Sequence, residues 1–182
     1  IKVDVMPTNG AVLGFTNRWY AAAMRAAYSV RLDDRFDIRV VTAPYFVATK
    51  LEAFRDRGNK DFQLSHDLED LIAIVDGRPG LQHELDAADD ALRSWLREQM
   101  GNLLETPEFQ RALPGHLPGD GVSQARLPKL VFRLHRIAAD TEEQALLRTL
   151  LDGEIGKGSL PPVREVRLAH EDQRSLLDEM VA

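Results

Sequence analysis

The stretch Ser65-His66-Asp67-Leu68-Glu69-Asp70-Leu71 has the layout of a helix start. Ser65 supplies an N-cap oxygen, and Asp67 and Glu69 put negative charge in the first turn, where the helix dipole favours it. Leu68, Leu71, Ile72 and Val75 recur at helical spacing and predict one buried face. The helix should run to about Asp76, with Gly77 as its C-terminal stop. Asp67 and Asp70, three positions apart, then lie close together beside the buried face. There they can pair with a cation, orient a lysine or accept a proton near a metal. A plain acidic first turn has the same layout.

Working towards the N-terminus, Pro44 opens a second helix, where a missing N–H costs nothing. It should end at Arg57, ahead of Gly58-Asn59. Val47, Ala48, Leu51 and Phe54 form its apolar stripe. Lys50 and Arg57, seven apart, follow one edge of that stripe. Two such cations can reach a shared anion such as a triphosphate, although snorkelling stems on a solvated edge give the same spacing. Residues 36–42 read as a strand around Ile38, Val40 and Val41, and residues 17–29 as a helix with Asn17 as N-cap. Trp19-Tyr20 within it reads as a core anchor. Residues 1–6 alternate Ile1, Val3 and Val5 with Lys2 and Asp4, the period of a half-buried strand. Pro7-Thr8-Asn9-Gly10 is a turn. Asp4 faces away from Val3 and Val5. It is either an ordinary solvent-facing residue or a carboxylate aimed into a cleft to hold a hard cation.

Towards the C-terminus the pattern is helical: 81–104, 107–113, 124–138 after the 114–121 loop, and 142–151. Residues 153–162 read as a linker, 163–168 as a short strand and 171–181 as a last helix. Strands first and helices after predict an α+β unit followed by a helical half.

With 182 residues, 44% apolar and 29% charged, and a mean hydropathy of -0.28, the chain can bury a sizeable core. A net charge of -6 argues against a broad nonspecific nucleic-acid binder, yet Arg and Lys cluster over 50–60 and 126–136, enough for a local basic groove. The absence of cysteine excludes disulfides and thiolate metal sites and makes the cytoplasm the expected compartment. No apolar run approaches the roughly 20 residues of a membrane span, so no membrane partner is expected. His66, His83, His116, His135 and His170 show no metal-ligand spacing. Gly156-Lys157-Gly158-Ser159 falls short of a phosphate loop, and no nucleophile elbow is present. The chain opens at Ile1, inside a strand pattern, so a preceding segment is expected.

The order and wording of these motifs carry more than any one of them. Val3-Asp4-Val5-Met6-Pro7, Leu13-Gly14-Phe15-Thr16-Asn17-Arg18-Trp19-Tyr20, Ala48-Thr49-Lys50-Leu51-Glu52-Ala53-Phe54, Arg57-Gly58, Asp61 and Ser65–Leu71 follow in turn. Together they resemble the bacterial nucleotidyltransferases typified by the toxins of type IV toxin–antitoxin and abortive-infection systems, within the DNA polymerase β-like superfamily. Leu113-Pro114-Gly115-His116-Leu117-Pro118-Gly119-Asp120 and Ser123-Gln124-Ala125-Arg126-Leu127-Pro128 look like the end of such proteins. The likeness covers residues 1–138.

The resemblance implies a polymerase β-like nucleotidyltransferase fold, a partial mixed sheet with flanking helices followed by a helical half. Residues 1–78 would form the C-terminal part of the core, 79–139 a helical domain and 140–182 a helical appendage. Asp4 matches the family's third metal-binding carboxylate. Lys50 matches the lysine at the triphosphate, and Asp67 and Asp70 match the acidic motif of the next helix. Asp4, Lys50 and Asp67 would therefore be catalytic, with Lys50, Arg57 and Asp70 at the nucleotide; Asp61 follows more loosely. The family's Gly-Ser turn and Asp-x-Asp pair do not precede Asp4 here, so the chain as it stands should transfer poorly. With those carboxylates, a hydroxyl would attack the α-phosphorus of an NTP while Mg²⁺ or Mn²⁺ bridges carboxylates and phosphates. The implied acceptor is a tRNA 3′ end or a protein side chain, and a cognate antitoxin is an implied partner. Two other classes fit the same residues: a degenerate nucleotide-binding or regulatory protein, and an interaction module presenting helices 142–151 and 171–181 to a partner.

Overall fold

Pro44 and the apolar stripe behind it start the first long helix among the described residues. The computed structural model describes residues 17–57 and 61–139. A short helix α1 (Tyr20–Ala26) leads into strands β1 (Tyr28–Arg31) and β2 (Asp37–Val40). Helices α2 (Ala43–Arg57), α3 (His66–Gly77), α4 (Leu81–Asp86), α5 (Asp90–Leu104) and α6 (Pro107–Ala112) follow. A 3-10 turn (Leu113–His116), α7 (Gly121–Gln124) and α8 (Leu127–Ala138) complete the order. The architecture is α+β and mostly helical. Its described sheet is one antiparallel pair, with Tyr28 opposite Val40 and Arg31 opposite Asp37.

The expected helix 17–29 is shorter than its composition suggests. Tyr28 and Ser29 leave it to join β1, a strand the sequence reading did not contain. Asn17 is not the N-cap, since Trp19 occupies that position. Asn17 instead bridges two segments: its Oδ1 accepts from Trp19 N at 3.1 Å, and its Nδ2 donates to the Thr49 carbonyl at 2.8 Å. The expected helix 81–104 is two helices, because Asp89 Oδ1 accepts from Leu92 N at 3.0 Å and starts α5 afresh. The 114–121 loop holds a 3-10 turn, and the expected helix 124–138 starts at Leu127. The expected elements at 1–6, 142–151, 163–168 and 171–181 lie outside the described residues.

The buried face expected of α3 forms as read, with Leu68, Leu71, Ile72 and Val75 inside. It meets Val47, Ala48, Leu51 and Phe54 of α2 on one side and Leu130 and Leu134 of α8 on the other. Leu92, Leu96 and Met100 of α5, together with Phe109, close the same core. Each such side chain contributes about 1.5–3 kcal/mol by leaving water. The Trp19 indole packs edge-on to Trp95 at 5.1 Å and tilted against Tyr45 at 6.2 Å, so it anchors α1 to this core.

Asp89 does two jobs. Besides capping α5, its Oδ2 accepts from the Tyr45 hydroxyl at 3.0 Å, tying α2 to the break. Burial, and then the hydrogen bond and charge of Asp89, raise the Tyr45 pKa above its ordinary value. Replacing Asp89 with Ala removes the cap and the tie together, and is expected to lower stability by about 1–2 kcal/mol. A denaturant titration checks this; an unchanged midpoint would show that α5 needs no cap.

Candidate functional site

Lys50 sits at the edge of the α2 stripe expected from the sequence, its side chain 24% exposed. Across the α2–α3 contact it meets both acidic residues of the α3 first turns. Its Nζ donates to Asp67 Oδ1 at 3.3 Å and forms a closer ion pair with Asp70 Oδ2. The Phe46 ring lies under the ammonium, 5.7 Å from centroid to Nζ. Asp67 is nearly buried and Asp70 about half exposed, so the cluster has an inner and an outer carboxylate.

The local sequence explains this placement. Ser65 Oγ accepts from Leu68 N, which fixes where α3 starts and therefore which face Asp67 and Asp70 take. The other end of α3 is held from α8. Arg133 donates to the carbonyls of Val75, at 2.9 Å, and Asp76, while Arg126 pairs with Asp76 Oδ2 at 2.9 Å. Cations at a helix C-terminus satisfy carbonyls that the helix leaves open. Arg126 and Arg133, part of a candidate basic cluster in the sequence, are engaged there.

Burial pulls the Lys50 pKa down, but the hydrogen bond and charge of Asp70, followed by those of Asp67, outweigh it. Its pKa lies above the ordinary lysine value, and the ammonium stays charged at neutral pH. The trio carries one positive and two negative charges. An ammonium has three N–H donors, and two carboxylates engage two of them.

No protein-family model matches this sequence, and no curated protein or solved structure matches it either. The site therefore stands on its own geometry and on the motif likeness.

Of the residues singled out in the sequence, the structure brings Lys50, Asp67 and Asp70 together. Asp4 and the side chain of Arg57 lie outside what is described. Asp61 takes a turn role, its Oδ1 accepting from Gln63 N at 3.1 Å and Leu64 N at 2.9 Å. His116 bonds the Phe62 carbonyl at 2.8 Å, and His66 pairs with Glu69 at the surface. Among the described residues there is no group of three or more His, Asp or Glu placed to hold a metal ion. Asp67 and Asp70 both pair with the Lys50 ammonium. None of the described helices is long and apolar enough to cross a membrane.

One cluster escaped the sequence reading. The Arg18 guanidinium lies over the rings of Trp19 and Trp95, at 5.3 and 5.5 Å. Arg55 approaches Trp95 from α2 at 6.0 Å. Trp95 is buried on α5, far along the chain from Arg18, so no local spacing announces the stack.

Proposed function

We propose that this chain is a polymerase β-like nucleotidyltransferase-like protein, of the kind found as toxins in toxin–antitoxin and phage-defence systems, with Lys50, Asp67 and Asp70 on its nucleotide side. The observation that supports it is the Lys50 ammonium, charged and held by Asp67 and Asp70. A preorganised cation of this kind suits the β- and γ-phosphates of an NTP, because a fixed donor needs no reorganisation when phosphate charge shifts during transfer. Asp67, the inner carboxylate, orients the lysine. Asp70, the outer one, is the group that a phosphate would displace. The motif order from Asp4 to Pro128 supports the same reading. Metal-bridged transfer would need carboxylates besides Asp67 and Asp70, which Lys50 engages; Asp4 is the one that the motif order offers.

One observation favours a second reading. Asp67 and Asp70 already neutralise Lys50, as they would in a protein where the trio only staples α2 to α3 and nucleotide is bound without turnover. The test is equilibrium binding of each common NTP with Mg²⁺, followed by transfer of labelled nucleotide to tRNA or protein acceptors. With whatever the reading frame encodes ahead of Ile1 included, binding with transfer supports the enzyme, and binding without transfer selects the degenerate form. Failure of every NTP to bind at millimolar concentration would sink both.

A further inference from the structure

The β1–β2 hairpin is amphipathic, and its apolar side faces solvent. Its register places Tyr28, Val30, Ile38 and Val40 on one face, with Ser29, Arg31, Asp37 and Arg39 on the other. Leu32 and Phe36 continue the apolar face beyond the ladder, where Leu32 N donates to the Phe36 carbonyl at 2.9 Å. Tyr28 is 49% exposed, Leu32 62%, Phe36 57% and Ile38 41%. Neither strand has a buried residue. A lone two-stranded hairpin is marginal in water, so covering this face stabilises the hairpin itself.

We propose that a second copy of this chain covers it, the two hairpins stacked face to face about a two-fold axis. Size is the first argument. Large apolar side chains bury about 150–250 Å² when fully covered, so these four at their exposures present roughly 400–500 Å². An interface is about 57–65% apolar, so a centre of that size belongs to one of roughly 700–800 Å² per partner. That is the standard size of a stable complex.

Charge is the second argument. The face itself is uncharged, and the hairpin carries Arg31, Arg35 and Arg39 against Asp33, Asp34 and Asp37, which cancel. The whole chain has a net charge of -6, so copies meeting here avoid the repulsion that most of their surface would bring. A nucleic acid finds no excess of positive charge on this ribbon. Symmetry is the third. A two-fold interface must be complementary to itself, and this face is apolar from end to end. An axis through its middle sets the central pair, Val30 and Ile38, against the same pair of the second copy. Stacked sheets lie about 10 Å apart, which buries both apolar sides and leaves the charged sides in water. Arg35, whose guanidinium lies over the Phe36 ring at 5.6 Å, then belongs to the polar rim. Pairing edge to edge would only widen the exposed face. The dimer stands independently of nucleotidyl transfer.

Sedimentation equilibrium on the full reading frame is expected to show a monomer–dimer equilibrium at micromolar concentration. Phe36→Asp should weaken it by about 30-fold or more, the usual effect of losing a buried aromatic anchor. Ser29→Glu, on the other side of the same ladder, should leave it unchanged. Ile38→Lys and Ile38→Glu should each be monomeric alone and dimerise when mixed in equal amounts, because the axis brings the two positions together. Recovery on mixing also shows that both variants are folded. A native protein that stays monomeric at high micromolar concentration would assign the face to a different occupant and overturn the proposal. A dimer that survives Phe36→Asp, an equal loss with Ser29→Glu, or no recovery on mixing would each reject the face-to-face stack.

Discussion

Lys50→Met is expected to weaken NTP binding roughly 10- to 150-fold while leaving a folded protein. The substitution keeps an unbranched apolar stem and removes the ammonium, together with its contact to the Phe46 ring. A hydrogen bond to a charged partner contributes about 1.5–3 kcal/mol, which is that range of affinity. Stability should fall too, because Asp67 and Asp70 lose the cation they share, by about 1–3 kcal/mol. The half-exposed Asp70 keeps the loss towards the lower end, since water screens it. Calorimetric titration with an NTP and a parallel denaturation curve separate the two effects. An unchanged affinity beside lowered stability would mean that the trio is only a staple between helices.

The same variant carries a pH signature. Lys50 has a folded pKa above its ordinary value of 10.5, so the stability it contributes is fully present below that pH. It is lost as pH rises through the higher folded value. The gap in denaturant midpoint between native protein and Lys50→Met should therefore stay constant near neutral pH and narrow only in the alkaline lysine range. A gap that already narrows between about pH 6 and 8 would assign the linkage to another group, such as a histidine.

Phe109→Ala should cost about 3–5 kcal/mol, the usual range for removing a fully buried aromatic ring. Phe109 has no exposed surface, yet it lies on a six-residue helix that cannot hold itself together. Its ring fixes α6 and the 3-10 turn to the core, and His116 of that turn bonds Phe62, whose ring meets Phe54 at 5.2 Å. The loss should therefore spread to the turn ahead of α3, visible as faster amide exchange around Phe62. A cost under about 1 kcal/mol would show that the site collapses around the gap.

Periodic apolar stripes and caps were legible from sequence because their physics is local. Ser65, the α3 face and the α2 stripe beside Lys50 all follow from neighbours within a few residues. Tertiary competition hid the rest. Tyr28 and Ser29 sit in a helix-like run, but cross-strand pairing with Val40 and Arg39 takes them into a strand. The 81–104 pattern looked continuous because the stripe resumes in phase after Asp89, whose capping role shows only with Leu92 N in place. At the site, spacing put Asp67 and Asp70 side by side, while their meeting with Lys50 depends on how α2 packs on α3. The Arg18–Trp95 stack and the Arg133 contacts join residues too far apart in sequence for any motif to show.

Those Arg133 contacts have a mechanical consequence. With Ser65 fixing its front and Arg133 its rear, α3 is a beam clamped at both ends, about 18 Å long at 1.5 Å per residue for its 12 residues. Asp67 and Asp70 lie near the front clamp, where such a beam deflects least, and so does the ammonium they hold. A chain cut short ahead of Arg133 would turn α3 into a cantilever, and the lysine's position would drift although no residue near it had changed.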